Sequence, residues 1–226
     1  MVAITVDIWS DLVCPWCFIG KRRFEAALQA FEHREDVGVR WRSFELDPGA
    51  PAENPLTIPQ RVRRDLGMSD AQADETVARV TALAAEVGLT YRLDLARPVN
   101  SFDAHRVIHL AEDEGVGEAV RERLMTAFTA EGAPLGDRGT LVAEAAKAGL
   151  DAAATRAMLE SDDYADAVRA DEREAALAGV TGVPSFLAGG RYLVSGAQPV
   201  EVFTLLLRRA WEEAAADAGA GAAGPS

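Results

Sequence analysis

Cysteine is nearly absent from this chain: 226 residues contain two. So few thiols argue against a disulfide-stapled scaffold and for a working dithiol. Basic residues are also in deficit, with 23 Lys plus Arg against 36 Asp plus Glu and a formal net charge of −13. A nucleic acid or an anionic membrane would be repelled overall, so neither is expected as a partner. No run of about 18 apolar residues is present that could cross a bilayer. The N-terminus lacks the basic segment, apolar stretch and small-residue cleavage site of a secretory signal, and the expected location is the cytoplasm. Apolar content, by contrast, is ample: 49% of residues, enough for a real core at this length.

The two cysteines stand three apart, in Cys14-Pro15-Trp16-Cys17. They follow a short apolar run, Val2 to Ile8, and precede an amphipathic stretch that reads as a helix. A cysteine at the first turn of a helix faces unpaired backbone N–H groups and the positive end of the helix dipole, which favour a thiolate. A second cysteine one turn later can reach the first. Three readings follow: two inert small hydrophobes, half of a zinc site completed by His105 and His109, or a redox dithiol. Pro15-Trp16 lacks the small turn-forming residues usual between zinc thiolates, and the strand-to-helix setting favours redox chemistry. The basic run Lys21-Arg22-Arg23 is either the solvated face of the first helix or a charge that favours a nearby thiolate or an anionic thiol substrate.

Val2 to Ile8 alternates and is rich in β-branched residues, as expected of a buried strand. The helix from Cys14 to Phe31 places Cys17, Phe24, Leu28 and Phe31 on one face and leaves Lys21, Arg22, Glu25 and Gln29 for solvent. Val37 to Phe44 reads as a second strand, giving a parallel β-α-β unit with the cysteines at the carboxyl end of its first strand. Prolines 48, 51, 55 and 59 then interrupt regular structure and mark a domain crossing. Helices are expected over Ala71–Val87, behind a Ser69/Gln72 capping box, and over Ser101–Glu114, Glu118–Ala130, Thr140–Ala148, Ala152–Leu159 and Tyr164–Ala178. Val183 to Ala188, Gly189-Gly190 and Arg191 to Val194 read as a β-hairpin, and a last helix begins near Pro199.

These features resemble the thioredoxin fold of DsbA-like oxidoreductases, and within them the cytoplasmic FrnE-like members. The resemblance is carried by Asp7-Ile8-Trp9-Ser10-Asp11-Leu12-Val13-Cys14-Pro15-Trp16-Cys17, by Phe102-Asp103-Ala104-His105-Arg106, and by Gly179-Val180-Thr181-Gly182-Val183-Pro184-Ser185-Phe186. It implies an α/β protein, a thioredoxin fold with a large all-helical insertion domain. The expected domains are residues 1–55 and 179–216 for the thioredoxin-like part, 56–178 for the insertion, and 217–226 for a tail without fixed structure. It further implies that Cys14 is the exposed nucleophile, that Cys17 is the more buried resolving thiol, and that Val183-Pro184 is a cis peptide against them. Trp16 would add an apolar contact for substrate. Ile8 stands six positions before Cys14, where thioredoxins carry a buried acid, and Asp11 and Glu45 are the candidate substitutes.

The function expected is thiol-disulfide exchange on protein or small-molecule thiols and disulfides, with no metal or cofactor beyond glutathione as a redox partner, in a monomer or homodimer. The alternative is a glutathione-dependent isomerase or transferase resembling 2-hydroxychromene-2-carboxylate isomerases and kappa-class glutathione transferases. These carry serine at the position of Cys14, and the cleft beside Val183 and Ser195 to Gln198 would hold the glutathione. A third reading is a non-catalytic interaction module with the cysteines as a redox-sensitive clasp.

Overall fold

The structure, a computed structural model, describes residues 3–222. Strand β1 (Ile4–Ser10) leads through the cysteine motif into helix α1 (Pro15–Ala30), a short 3-10 turn (Arg34–Asp36) and strand β2 (Val37–Ser43). β1 and β2 pair in parallel from Ile4↔Val37 to Ser10↔Ser43. After the helical segment, β3 (Ser185–Ala188) and β4 (Tyr192–Ser195) complete a sheet of order β2-β1-β3-β4, with both later pairings antiparallel. Gly189 and Gly190 turn the hairpin with φ of 59° and 68°, a pair of left-handed conformations that two-residue hairpins favour and side chains resist.

Strand periodicity assigns the two faces of the sheet. Ile4, Val6 and Ile8 join Phe24, Phe31, Phe186, Phe203 and Leu207 in the core beneath α1 and the final helix α9 (Val200–Ala222). Phe24, Phe186 and Phe203 pack as a triad with centroids 4.5 to 5.9 Å apart. Each such pair adds roughly 0.5–1.5 kcal/mol to area burial. On the opposite face Trp9 packs with Ala175 and Val180. The last helix continues through Ala222, which corrects the expected loss of structure from residue 217. Residues 223–226 of that expected tail, and Val2 of the expected first strand, lie outside the described residues.

Between the two halves of the sheet lie α2 (Ile58–Leu66), α3 (Asp70–Glu86), α4 (Phe102–Asp113), α5 (Gly117–Glu131), α6 (Arg138–Lys147), α7 (Ala152–Glu160) and α8 (Ala165–Leu177). The Ser69/Gln72 capping box opens α3 as read from sequence. α2 is new. Its signal was a second capping box, Thr57 with Gln60, hidden among the prolines, and Pro59 sits harmlessly in its first turn. The core of this segment, with Leu124, Phe128, Leu135 and Leu141, is continuous with Leu12, Val13, Cys14, Cys17, Phe18 and Ile19. The helices thus close over the cysteine motif. Among the described residues no helix is long and apolar enough to cross a membrane.

Asp171 of α8 joins the helical segment to the sheet. Its carboxylate accepts from the Ser43 N–H at 2.8 Å and from Arg42 at 2.9 Å, and lies 3.2 Å from His109 Nε2. Its backbone carbonyl accepts from Trp9 Nε1 at 3.0 Å.

Candidate functional site

Cys14 is the N-cap of α1, in extended conformation, and Pro15 starts the helix where its missing N–H costs nothing. The Cys17 N–H donates to the Cys14 carbonyl at 3.0 Å. The two cysteines are free, buried thiols one helical turn apart. The Asp11 N–H donates to Cys17 Sγ at 3.4 Å. Burial, and then the neighbouring Cys14, push the Cys17 thiol well above its ordinary pKa.

The resemblance implies that Val183 and Pro184 lie against the motif, and in the structure Val183 faces Cys14. The Val183–Pro184 peptide is cis. The Cys14 thiol points toward the Val183 carbonyl oxygen, 3.9 Å away. The approach is set by Ser185, whose hydroxyl donates to the Gly182 carbonyl at 2.7 Å, and by the Gly196 N–H, which donates to the Pro184 carbonyl at 2.7 Å. Gln198, at the other end of the Ser195 to Gln198 turn, donates to the Ser195 carbonyl at 2.9 Å.

Cys14 is not exposed as the resemblance implied. It is 4% accessible against 1% for Cys17, because the core of the helical segment extends across both. Trp16 is the exposed member of the motif, at 36%. It stands beside a cavity of about 430 Å³ whose walls include Val13, Ile58, Val62, Val77 and Leu93.

Lys21 also departs from expectation. Instead of facing solvent it is buried, with Glu118 at 2.6 Å and Glu122 at 3.0 Å, while Arg22 pairs with Glu25 and Glu122. Arg23 donates to the Ala197 carbonyl at 2.7 Å. These cations are engaged in tying α1 to α5 and to the turn after β4, so neither expected role for the basic run describes them.

Asp11 is fully buried and holds the loop before Cys14. It accepts from the Val13 N–H at 3.2 Å and the Leu46 N–H at 2.7 Å. Glu45 is turned toward Arg169 and Asn100. His105 Nε2 faces the Phe44 carbonyl at 3.2 Å and Asp11 Oδ1 at 3.5 Å, and His109 faces Ser43 and Asp171. Among the described residues no three His, Cys, Asp or Glu side chains are grouped to hold a metal ion.

Three neighbours of the site escaped the sequence reading. The Tyr91 hydroxyl donates to the Pro15 carbonyl at 2.6 Å, and burial followed by the nearby cysteines raises its pKa, so it remains a donor. Ser10 lies buried immediately before Asp11, whose N–H donates to Cys17 Sγ. Gly20 lets α1 approach Pro184. Of these only Gly20, a poor helix former on a buried helix face, left a local signal.

Known proteins share this fold. The crystal structure of SCO1869 from Streptomyces coelicolor, described as a probable DsbA oxidoreductase, superposes with a TM-score of 0.90 at 46% identity, over 93% of this chain and 91% of that one. The uncharacterized protein YwbO of Bacillus subtilis (strain 168) is 29% identical over 89% of this chain and 94% of its own length. The cytosolic disulfide reductase DsbM of Pseudomonas aeruginosa, solved with GSH, shares the fold with a TM-score of 0.61 at 19% identity, over 91% and 98% of the two chains. Residues 5–208 match the DSBA-like thioredoxin domain, and the chain belongs to that family.

Proposed function

We propose that this protein is a thiol-disulfide oxidoreductase working through Cys14 and Cys17. The observation that carries the reading is the placement of both thiols at the start of α1, with Cys14 against the Val183–Pro184 peptide. The Cys14 thiolate attacks one sulfur of a substrate disulfide, forming a mixed disulfide and releasing the other half as a thiolate, which takes up a proton. Cys17 then gives up its proton and attacks Cys14 Sγ. The Cys14–Cys17 disulfide forms and the second substrate thiol leaves. Two electrons pass from the dithiol to the substrate, and the reverse sequence oxidises a substrate dithiol.

Burial that keeps Cys17 protonated suits a resolving thiol, which must wait for the mixed disulfide. Pro184, having no N–H, leaves the backbone beside Cys14 open to an extended substrate. Trp16 and the apolar cavity beside it supply contact for an apolar substrate segment. Substrates are protein or small-molecule disulfides, glutathione is the redox partner, and the location is the cytoplasm, in line with the cytosolic, glutathione-bound DsbM. A glutathione-dependent isomerase would carry a serine at position 14; the thiol there favours exchange.

The test is a pair of substitutions. Cys17→Ala is expected to accumulate a covalent Cys14 adduct with a disulfide substrate, and Cys14→Ala to form none and to lose insulin reduction. Undiminished insulin reduction by Cys14→Ala would overturn the reading. Titration against glutathione buffers then sets the direction: a potential near about −270 mV marks a reductant, one near about −120 mV an oxidant.

A further inference from the structure

If Cys17 is the resolving thiol, its proton needs an exit. Cys17 is 1% accessible, and Ile8 on the adjoining strand offers no acid. The Ser10 side chain is the unexplained group nearby. Ser10 is 6% accessible, its hydroxyl has no hydrogen-bond partner, and it immediately precedes Asp11, whose N–H donates to the Cys17 sulfur at 3.4 Å. A buried hydroxyl left unpaired is costly, and such groups call for a reason.

Ser10 also lines a cavity of about 20 Å³, together with Ser43, His105 and His109. That volume and those polar walls suit one water molecule, which needs roughly 10–15 Å³. His105 presents Nε2 to two oxygens, the Phe44 carbonyl and the Asp11 carboxylate. A carbonyl only accepts, so Nε2 carries the hydrogen and Nδ1 is the basic atom of the ring.

We infer that Ser10, one bridging water and His105 form the proton exit of Cys17. The Cys17 proton passes to Ser10 Oγ as the Ser10 proton passes to the water and a water proton to His105 Nδ1. The new thiolate keeps the Asp11 N–H as a donor and gains the Ser10 hydroxyl as a second. The Asp11 carboxylate faces the charge that arrives on the ring. The other charged groups around the cavity are spoken for: Arg42 binds Asp7 and Asp171, Arg121 binds Glu112 and Glu118, and His109 faces Asp171. When the bridging water exchanges with solvent beside His109, whose side chain is 23% accessible, His105 returns the proton from Nδ1 to it. In this relay Ser10 acts on the Cys17 proton directly, and His105 acts through it as a positioning residue.

This rests on the exchange reading, and one assay separates the two. Reduced full-length protein reacts with a stoichiometric chromogenic aryl disulfide, which releases one coloured thiol when Cys14 attacks and a second when Cys17 resolves. Ser10→Ala is expected to leave the first release unchanged, to slow the second about tenfold at neutral pH, and to move the second's half-maximal rate up by about one pH unit, since one unit is a factor of ten. Ser10→Thr, which keeps the hydroxyl, restores the second release. His105→Gln keeps a donor to Phe44 but no basic nitrogen, and is expected to slow the second release alone. A second release in Ser10→Ala that matches the unsubstituted protein at every pH overturns the proton exit while leaving exchange intact, as does equal slowing of both releases. Absence of the first release from the unsubstituted protein overturns the exchange reading itself.

Discussion

A methyl group added to Gly20 would stand 2.8 Å from Pro184 Cγ and 3.4 Å from the Phe186 ring. Real Cβ atoms do not come that close to a neighbour, so helix α1 reaches the Val183–Pro184 corner only because residue 20 has no side chain. On an exposed helix surface Gly→Ala stabilises by about 1 kcal/mol. Here the sign reverses: Gly20→Ala is expected to destabilise by roughly 1–3 kcal/mol through overpacking. Urea denaturation checks it, and a raised midpoint would contradict the contact.

Stability should fall on the alkaline side for an identifiable reason. Burial, reinforced by Cys14, raises the Cys17 thiol above its unfolded value of about 8.5, and burial likewise raises the Tyr91 phenol above about 10. A raised native pKa means that the unfolded chain loses its proton first as pH rises. The contribution is therefore complete below about pH 8.5 and declines above it, first through Cys17 and then through Tyr91. Denaturation midpoints of the reduced protein across this range should drop, and Cys17→Ala should flatten the first part of the decline.

The acid side depends on Asp171. Burial would raise its carboxyl, but His109, the Ser43 N–H and Arg42 outweigh that and hold it below the ordinary carboxylate range. A lowered native pKa stabilises above the unfolded value of about 3.9 and is lost as pH falls through the native one. Asp171→Asn is expected to cost roughly 1.5–3 kcal/mol at neutral pH, since it takes from Arg42 one of its two buried carboxylates, Asp7 remaining, and from the Ser43 N–H its anionic acceptor. It should also weaken the dependence of stability on pH below about 4. Thermal unfolding at neutral and acid pH measures both effects.

Trp16 is the accessible part of the motif, so its substitution should affect recognition more than stability. Trp16→Ala is expected to raise KM for a disulfide peptide with apolar flanks by about tenfold, a loss of about 1.4 kcal/mol that is modest for an aromatic contact. The rate with glutathione disulfide, which lacks such flanks, should stay within about twofold at the same kcat, the loss being in uniform binding. Equal losses with both substrates would place Trp16 in the exchange step instead.

Much of this arrangement was legible because it is local. The reach of Cys17 to Cys14 follows from one helical turn, the hairpin from Gly189-Gly190, and the start of α3 from Ser69 and Gln72, each within a few residues of sequence. The helix α2 was equally local but went unread, its Thr57/Gln60 box masked by prolines that usually end regular structure. Lys21 was misassigned because helical periodicity gives a residue's face but not what stands opposite, here Glu118 and Glu122 on α5.

By itself, then, the order of residues determined the dithiol, the strand and helix that hold it, and the turn that carries Pro184. Folding alone decided how the distant parts meet: Asp171 against Ser43 across 128 positions, His105 against the oxygens of Asp11 and Phe44, the Ser10 hydroxyl left unpaired beside Cys17, and the closure of the helical core over Cys14. The division has a physical origin. Backbone hydrogen bonding and side-chain periodicity act over one or two turns of chain, whereas burial and the pairing of buried polar groups exist only once separate segments have excluded water between them.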